Sequence, residues 1–321
     1  SLHALTKYLD RLLPVMQELV CDSVFPAHEL ELYKQNSIQK LQVNLRNAEF
    51  VAGRLIDGYV YGEKHPYGVY TMPETLEHLN EEEIKAFYTN HYLNGEAVLF
   101  VSGKLPGNIF ELLNRNFGSL SLRPATFQYP HREVNPAKEK KYRIENDPSS
   151  VQGAIRLARP FPSRHHPDFK KVMLLNGLLG GFFGSRLMAN IREHKGYTYG
   201  IYSYIQNHLQ QSAWLISTEA GKEVCEATIR EVYKEMQLLT QKPVKKDELQ
   251  LVKNYMMGTI LGDLNGPFQI MSRWKNIILN RLDERYFYDS VKAIKETQAE
   301  ELMELAQKYL RPEEFYELIV Y

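Results

Sequence analysis

Hydrophobic positions in the second half of the chain follow two different periods. Segments with apolar residues at every second position, or rich in aromatic and β-branched residues, are predicted strands. They are residues 140–146, 150–161, 199–208, 210–220 and 315–320. Segments with apolar residues every three or four positions are predicted helices. They are residues 167–181, 222–240, 245–264, 267–280, 284–295 and 298–309. This order predicts an α+β fold, a mostly antiparallel sheet with helices packed on one face.

The first part of the chain repeats the pattern of the second. The segment "LNEEEIKAFYTNHYLNGEAVLFV" (79–101) matches "ETQAEELMELAQKYLRPEEFYELIV" (296–320). Asn80 and Thr297 are the predicted helix N-caps, each with a Glu three residues later, and an apolar strand is predicted at the end of both segments. Upstream, residues 9–20 match 229–240, and the matching segments follow in the same order. We therefore predict duplicated units.

The repeat predicts where the units begin and end. We expect an incomplete N-terminal unit at 1–121, a proline-rich linker at 122–139 and a C-terminal unit at 140–321. The first unit lacks counterparts for roughly 80 residues, a helix and four strands. Either those residues were removed from this chain or the unit is a reduced form. We favour removal, because helices without their sheet would leave apolar faces uncovered.

Composition excludes several classes of function. The 321 residues include 39 Lys plus Arg and 39 Asp plus Glu, so no net charge attracts nucleic acid or an anionic membrane. No run approaches the ~20 apolar residues of a membrane span, and no signal peptide opens the chain. Cys21 and Cys225 are too few for a disulfide scaffold or a thiolate zinc site. Cys225 continues an apolar stripe of four more residues and is predicted to be a buried thiol. Those four are Ile229, Val232, Met236 and Leu239.

Sequence motifs for common catalytic sites are also missing. The glycines between Gly177 and Gly200 follow a helix with the wrong spacing for a dinucleotide site and are predicted to be packing and turn residues. The chain contains no G-K-[ST], no G-x-S-x-G, no H-E-x-x-H and no H-x-x-E-H. The ten histidines are predicted to be surface or capping residues. Arg192 and Tyr199 are the remaining candidates for a functional site. The local sequence predicts that Arg192 lies at the end of a helix and Tyr199 at the start of a strand.

Several segments together resemble one protein family. The stretch "LLGGFFGSRLMANIREHKGYTYGIYS" (178–203) is similar to the signature of the C-terminal half of insulinase-like (pitrilysin, M16) zinc metallopeptidases. "FPAHELELYKQN" (25–36), "HPYG" (65–68) and "VLFVSG" (98–103) follow the same family pattern. The family is built from duplicated α+β units, so the resemblance agrees with the internal repeat.

The resemblance has opposite implications for the two units. An active unit carries H-x-x-E-H and a later Glu, which together hold zinc. Here the H-x-x-E-H segment is absent and the expected Glu falls on Lys40, although an alignment shift of one turn would point to Glu31 or Glu49. In the second unit, Arg192 and Tyr199 match family residues that bind substrate opposite the zinc. A guanidinium and a phenol suit a peptide carbonyl, and the strand at 199–206 is expected to offer an edge to an extended peptide.

The expected function is therefore that of an inactive or accessory half of a zinc peptidase. It would contribute peptide binding to a zinc site in a partner chain or a missing region, with no cofactor of its own. Expected partners are a peptide substrate and either a second copy or a zinc-bearing M16 chain, without nucleic acid or membrane. The alternatives are a peptide-binding scaffold with no peptidase role, and a fragment of an active zinc metalloendopeptidase. The compartment stays open, cytoplasm or periplasm if the source is bacterial.

Overall fold

The computed structural model describes residues 1–120 and 132–321, which form two compact units. The first, here called the helical unit, contains Ser1–Leu41, 71–120 and Asn265–Lys275. The second, the sheet unit, contains Gln42–Tyr70, Arg132–Leu264 and Asn276–Tyr321. Most of the predicted linker, residues 122–131, lies outside the described residues, as does residue 121 of the predicted first unit.

The described chain contains helices throughout and strands only after residue 140. The helices are α1 (Leu9–Cys21), α2 (Ala27–Asn44), α3 (Ala48–Tyr61), α4 (Pro73–Glu77), α5 (Glu81–Phe87), α6 (Ile109–Phe117), α7 (Phe169–Gly180), α8 (Cys225–Gln241), α9 (Lys246–Gly262), α10 (Pro267–Leu279), α11 (Arg285–Glu296) and α12 (Ala299–Tyr309). The strands are β1 (Lys141–Ile144), β2 (Gln152–Phe161), β3 (Ile201–Asn207), β4 (Ser212–Gly221) and β5 (Tyr316–Val320). Each predicted element after residue 140 is present, with ends shifted by a few residues.

The strands form one sheet in the order β1-β5-β2-β4-β3. Only β1 and β5 run parallel, and the other three pairs are antiparallel. Helices α7, α8, α9 and α12 share a buried apolar cluster with one face of the sheet. The prediction of an α+β fold with a mostly antiparallel sheet is confirmed.

Helix α3 covers part of the opposite face of the sheet. Its Ala52, Ile56 and Val60 form a second buried cluster with Ala154 of β2 and Leu318 of β5. Apolar side chains of β2 and β5 therefore leave water on both faces of the sheet. The α3 contribution adds to the predicted helix layer on the other face.

The thiol and the glycines singled out in the sequence are packing residues. Cys225 is fully buried in the first cluster with the four apolar residues predicted to accompany it, and burial raises the pKa of its thiol to about 11. A Cβ on Gly177 of α7 would lie 2.9 Å from Val252 Cγ2 of α9. A Cβ on Gly180 would lie 2.7 Å from Ser203 Cβ of β3. The first glycines thus permit close helix–helix and helix–strand contact.

The helices recur in the predicted order, but one pair of counterparts differs in location. Helices α1, α2 and α5 have their counterparts in α8, α9 and α12, all at nearly the same offset along the chain. By the same offset, α3 corresponds to α10. Helix α3 belongs to the sheet unit, whereas residues 267–275 of α10 belong to the helical unit. Each of these two helices is therefore grouped with residues of the other repeat.

Three local predictions are wrong. Asn80 is an N-cap, and its side chain accepts a hydrogen bond from the Glu83 N–H. Thr297 is not the N-cap of α12, because its hydroxyl is buried and donates to Ala293 O. Gln298 caps that helix together with Glu301. Residues 97–101 form no strand, since no strand lies beside them in the described part of the helical unit. His65, predicted to lie at the surface or in a cap, is 7% exposed within a cluster of rings. Those rings belong to Tyr61, Tyr67 and His208.

Candidate functional site

The segment from Arg192 to Tyr199 joins a helix to the edge of the sheet. Arg192 lies in a π-helical stretch, Met188–His194, a conformation that recurs at functional sites. Gly196, two residues after this stretch, has a φ of +67°, in the left-handed region that favours glycine. The Tyr197 N–H then donates to Ile191 O at 3.1 Å. The local sequence therefore turns the chain sharply between the two candidate residues.

Hydroxyl groups fix the turn that carries Tyr199. The Thr218 hydroxyl of β4 lies 2.8 Å from both Thr198 Oγ1 and Gly200 O. The Gly200 N–H donates to Thr198 Oγ1 at 3.1 Å. Between these anchored neighbours the Tyr199 side chain is 93% exposed. A tyrosine held by a fixed backbone loses little conformational entropy when a partner covers it.

Arg192 and Tyr199 line the same cavity, which has a volume of about 500 Å³. The cavity lies where β2 begins, β4 ends and the chain turns toward β3. Its other lining residues are Gln152, Glu193, Gly196, Tyr197, Thr198, Glu219, Ala220 and Gly221. The structure thus brings the two predicted residues together with strand residues that sequence reasoning did not select.

An aromatic ring positions the Arg192 guanidinium. Its carbon Cζ lies 4.6 Å from the centre of the Phe183 ring, and Nη1 is 4.0 Å from Glu193 Oε1. Phe183 is 60% exposed, whereas its neighbour Phe182 stacks on Tyr255 at 4.6 Å. A stacked guanidinium keeps its N–H edge available for an acceptor. Sequence analysis missed Phe183, because the paired phenylalanines give no sign of which one faces outward.

Glu219 of the cavity lining lies near an ion pair between Arg156 of β2 and Glu49 of α3. Partial burial raises the pKa of Glu219, and the Glu49 charge raises it further while Arg156 lowers it. Arg156 is 5% exposed, and its Nη2 lies 3.3 Å from Glu49 Oε1. Glu49 therefore already engages the Arg156 charge.

Strand β3 is the last strand of the sheet, so one of its sides has no neighbouring strand among the described residues. The His208 N–H donates to Gln211 O, so the even-numbered residues of β3 bond to β4 and the odd-numbered ones point outward. Two outward carbonyls are capped: Ser203 O accepts from Asn176 Nδ2 and Ile205 O from Asn207 Nδ2, each at 3.0 Å. The outward edge is thus partly covered along its middle.

The residues considered for zinc do not converge. Lys40 is exposed on α2, Glu31 pairs with Lys34 at 2.9 Å and Glu49 pairs with Arg156. Within residues 1–120 and 132–321, no group of three or more His, Cys, Asp or Glu side chains could hold a metal ion. The side chains described therefore do not fit a zinc site. Among the helices described, none has the length and apolar character of a membrane span.

Comparison with known proteins places this geometry in a family. The family model described as peptidase M16 inactive domain matches residues 78–256, more than half of the chain. The chain is 21% identical over 270 residues to an uncharacterized zinc protease, YmxG, of Bacillus subtilis, covering 84% of this chain and 65% of that protein. It is 21% identical over 268 residues to the non-peptidase homolog YmxG of Helicobacter pylori, covering 81% and 60%. The chain thus spans less than two thirds of either relative.

A solved structure shows the same fold. The crystal structure of a peptidase M16 inactive domain from Pseudomonas fluorescens superposes with a TM-score of 0.81 and 22% identity. The match covers 96% of this chain and 74% of that one. Because the family model matches more than half of the chain, the chain belongs to the peptidase M16 inactive-domain family.

Proposed function

We propose that this chain is the non-catalytic, peptide-binding half of an insulinase-like zinc peptidase whose zinc site lies in a partner chain. The observation that carries the proposal is the shared cavity of Arg192 and Tyr199 at the start of the outer strand β3. Arg192 lies in the π-helical stretch and Tyr199 on the turn that follows it, and both line a space large enough for part of a peptide.

The chemistry of the two residues suits an extended peptide. The Arg192 guanidinium, stacked on Phe183, donates its free N–H groups to a peptide carbonyl. Tyr199 adds exposed aromatic area and a hydroxyl group. Beyond them, the N–H groups of Ser203 and Ile205 point away from β4, where an added strand would pair. Capping of the neighbouring carbonyls limits such pairing to a few bonds.

The zinc belongs to the partner in this proposal, since the described residues of this chain do not form a site for it. The names of the relatives fit both sides of such a pair, because one is called a zinc protease and another a non-peptidase homolog. The partner would be a second M16 chain that carries H-x-x-E-H, in a heterodimer with this one.

The test combines this chain with an H-x-x-E-H protein encoded beside it. Zinc content and cleavage of a peptide library are measured for each protein alone and for the mixture. We expect cleavage by the mixture to exceed that of either protein, and Arg192→Ala to lower kcat/KM about tenfold to a hundredfold. Tyr199→Phe should lower it less. Arg230→Ala and Tyr288→Phe, exposed residues outside the cavity, serve as matched controls.

Each other outcome selects a different function. Zinc-dependent cleavage by this chain alone would identify it as part of an active peptidase. Peptide binding that Arg192→Ala abolishes, without cleavage in any mixture, would identify a binding scaffold. Cleavage that neither Arg192→Ala nor Tyr199→Phe changes would show that the assigned residues have no role.

A further inference from the structure

The cavity that Arg192 and Tyr199 line also contains Glu219, a carboxylate that the proposed function does not use. Glu219 lies on β4, directly after Thr218, and pairs in register with Ala154 of β2. Alternate residues of β4 face opposite sides of the sheet, so Glu219 shares the face of Leu215, which packs in the α3 cluster. Glu219 is therefore outside the helix layer formed by α7 and α8, and its side chain is exposed.

The cations near Glu219 form no ion pair with it among the described residues. No hydrogen bond or ion pair reaches the Glu219 carboxylate from any described residue. Arg156 is committed to Glu49, and Arg192 stacks on Phe183 beside Glu193. The lining thus contains two carboxylates, Glu193 and Glu219, and one guanidinium. The cavity lining therefore carries a net negative charge, and Glu219 is the carboxylate without an ion-pair partner.

The surroundings of Glu219 disfavour its ionised form. Burial and the Glu49 charge both raise the pKa of Glu219, so its ionised form is less stable than in water. An ammonium or guanidinium group entering the cavity would supply the missing counter-charge. A neutral side chain would leave the carboxylate unpaired, and an acidic one would be repelled.

We propose that Glu219 selects peptides that place a lysine or arginine side chain in this cavity. The inference rests on the proposed function, because Arg192 and Tyr199 must hold the peptide backbone at the rim. The inference adds to the proposed function the class of peptide side chain that enters the cavity when Arg192 and Tyr199 hold the peptide backbone. Glu219 acts here as a specificity residue, distinct from the two anchors.

A charge exchange tests the assignment. Fluorescein-labelled nonapeptides Ala-Thr-Val-Thr-X-Thr-Val-Thr-Ala, with X as Lys, Gln or Glu, are titrated with the full chain and followed by fluorescence anisotropy. We expect the Lys peptide to bind about tenfold more tightly than the Glu peptide. Glu219→Gln should reduce this ratio to about twofold, and Glu219→Lys should reverse it. Reversal excludes unfolding as the cause, because a variant that merely unfolds would lose affinity for every peptide.

Glu304→Lys is the matched control. Glu304 is an exposed residue of α12 that does not line the cavity, so this variant introduces the same charge change elsewhere in the sheet unit. The specificity assignment is wrong if Glu304→Lys alters the ratio as much as Glu219→Lys. It is also wrong if Glu219→Lys leaves the ratio unchanged while Arg192→Ala still abolishes binding. In both cases the proposed function stands. If Arg192→Ala leaves the binding of all three peptides unchanged, or if none binds, the proposed function fails and the specificity assignment fails with it.

Discussion

Residues 316–320 and 97–101 are counterparts in the internal repeat, and they adopt different structures. In the sheet unit, "YELIV" forms β5, lies between β1 and β2, and is buried at every position. In the helical unit, "AVLFV" forms no strand, and Val98 and Leu99 are 46% and 49% exposed. Both segments are rich in β-favouring residues. Neighbouring strands that accept their backbone hydrogen bonds, rather than propensity, therefore decide which becomes a strand.

The test of this comparison with the largest expected effect replaces a leucine by alanine in each of the two segments. Leu318→Ala should lower the free energy of unfolding by about 2–5 kcal/mol, because Leu318 is fully buried between the sheet and α3. Leu99→Ala, its counterpart, should change it by less than about 0.5 kcal/mol. Urea denaturation followed by circular dichroism measures both. Equal losses would show that residues 97–101 are packed as tightly as β5.

A second test compares close backbone packing with an open turn. Gly180→Ala should destabilise the sheet unit by about 1–3 kcal/mol, because the new methyl group would lie 2.9 Å from the Ser203 backbone nitrogen. Gly107→Ala in the helical unit meets no atom within 4 Å and should be neutral or slightly stabilising. Thermal unfolding of the two variants gives the result. A neutral Gly180→Ala would mean that β3 and α7 can move apart without cost.

A third and smaller test uses a carboxylate on α3 of the sheet unit. Burial raises the pKa of Asp57 to about 6, although a hydrogen bond from Gln206 opposes this. The native state therefore holds its proton up to a higher pH than the unfolded chain does, so ionisation of Asp57 reduces stability as pH rises from about 4 through 6. Asp57→Asn should stabilise the sheet unit by about 1–2 kcal/mol at pH 7.5, and this gain should vanish near pH 4.

The control for this pH dependence is Asp22→Asn, which replaces an exposed carboxylate of the helical unit. It should change the free energy of unfolding by less than about 0.5 kcal/mol at both pH values. Denaturant titrations at pH 4 and 7.5 compare the two variants. A gain for Asp57→Asn that stays constant across this range would argue against a buried titrating carboxyl.

Local patterns were enough to predict the elements after residue 140. Alternating and three-to-four spacing marked each strand and helix after residue 140, because those elements bury one face in contact with their neighbours. The patterns failed where contacts with residues distant in sequence determine the structure of a segment. No local signal distinguishes residues 97–101 from β5, and none places α3 on a sheet built from residues after 140. The Thr297 cap also failed, because Gln298 one residue later offers an alternative box with Glu301.

The candidate site was partly predictable, and for a different reason. Arg192 and Tyr199 were selected by their resemblance to a family signature, and they do line one cavity. Gln152 and Glu219 also line it, but they come from β2 and β4, which are far apart in sequence, and they carry no motif. Their proximity depends on the β2–β4 register, which pairs residue 152 with residue 221. Such a register is fixed by the completed sheet.

The placement of α3 has a consequence for the order of events during synthesis. Helix α3 ends at Tyr61 and strand β5 begins only at Tyr316, close to the end of the chain, yet the two pack in one cluster. On the ribosome, the part of the apolar α3 surface that β5 covers therefore stays exposed until Tyr316–Val320 has been synthesised. Such long loop closure slows folding and leaves time for aggregation or chaperone binding. A chain that contains only the C-terminal repeat lacks α3. The sheet unit therefore cannot be produced intact from that repeat alone.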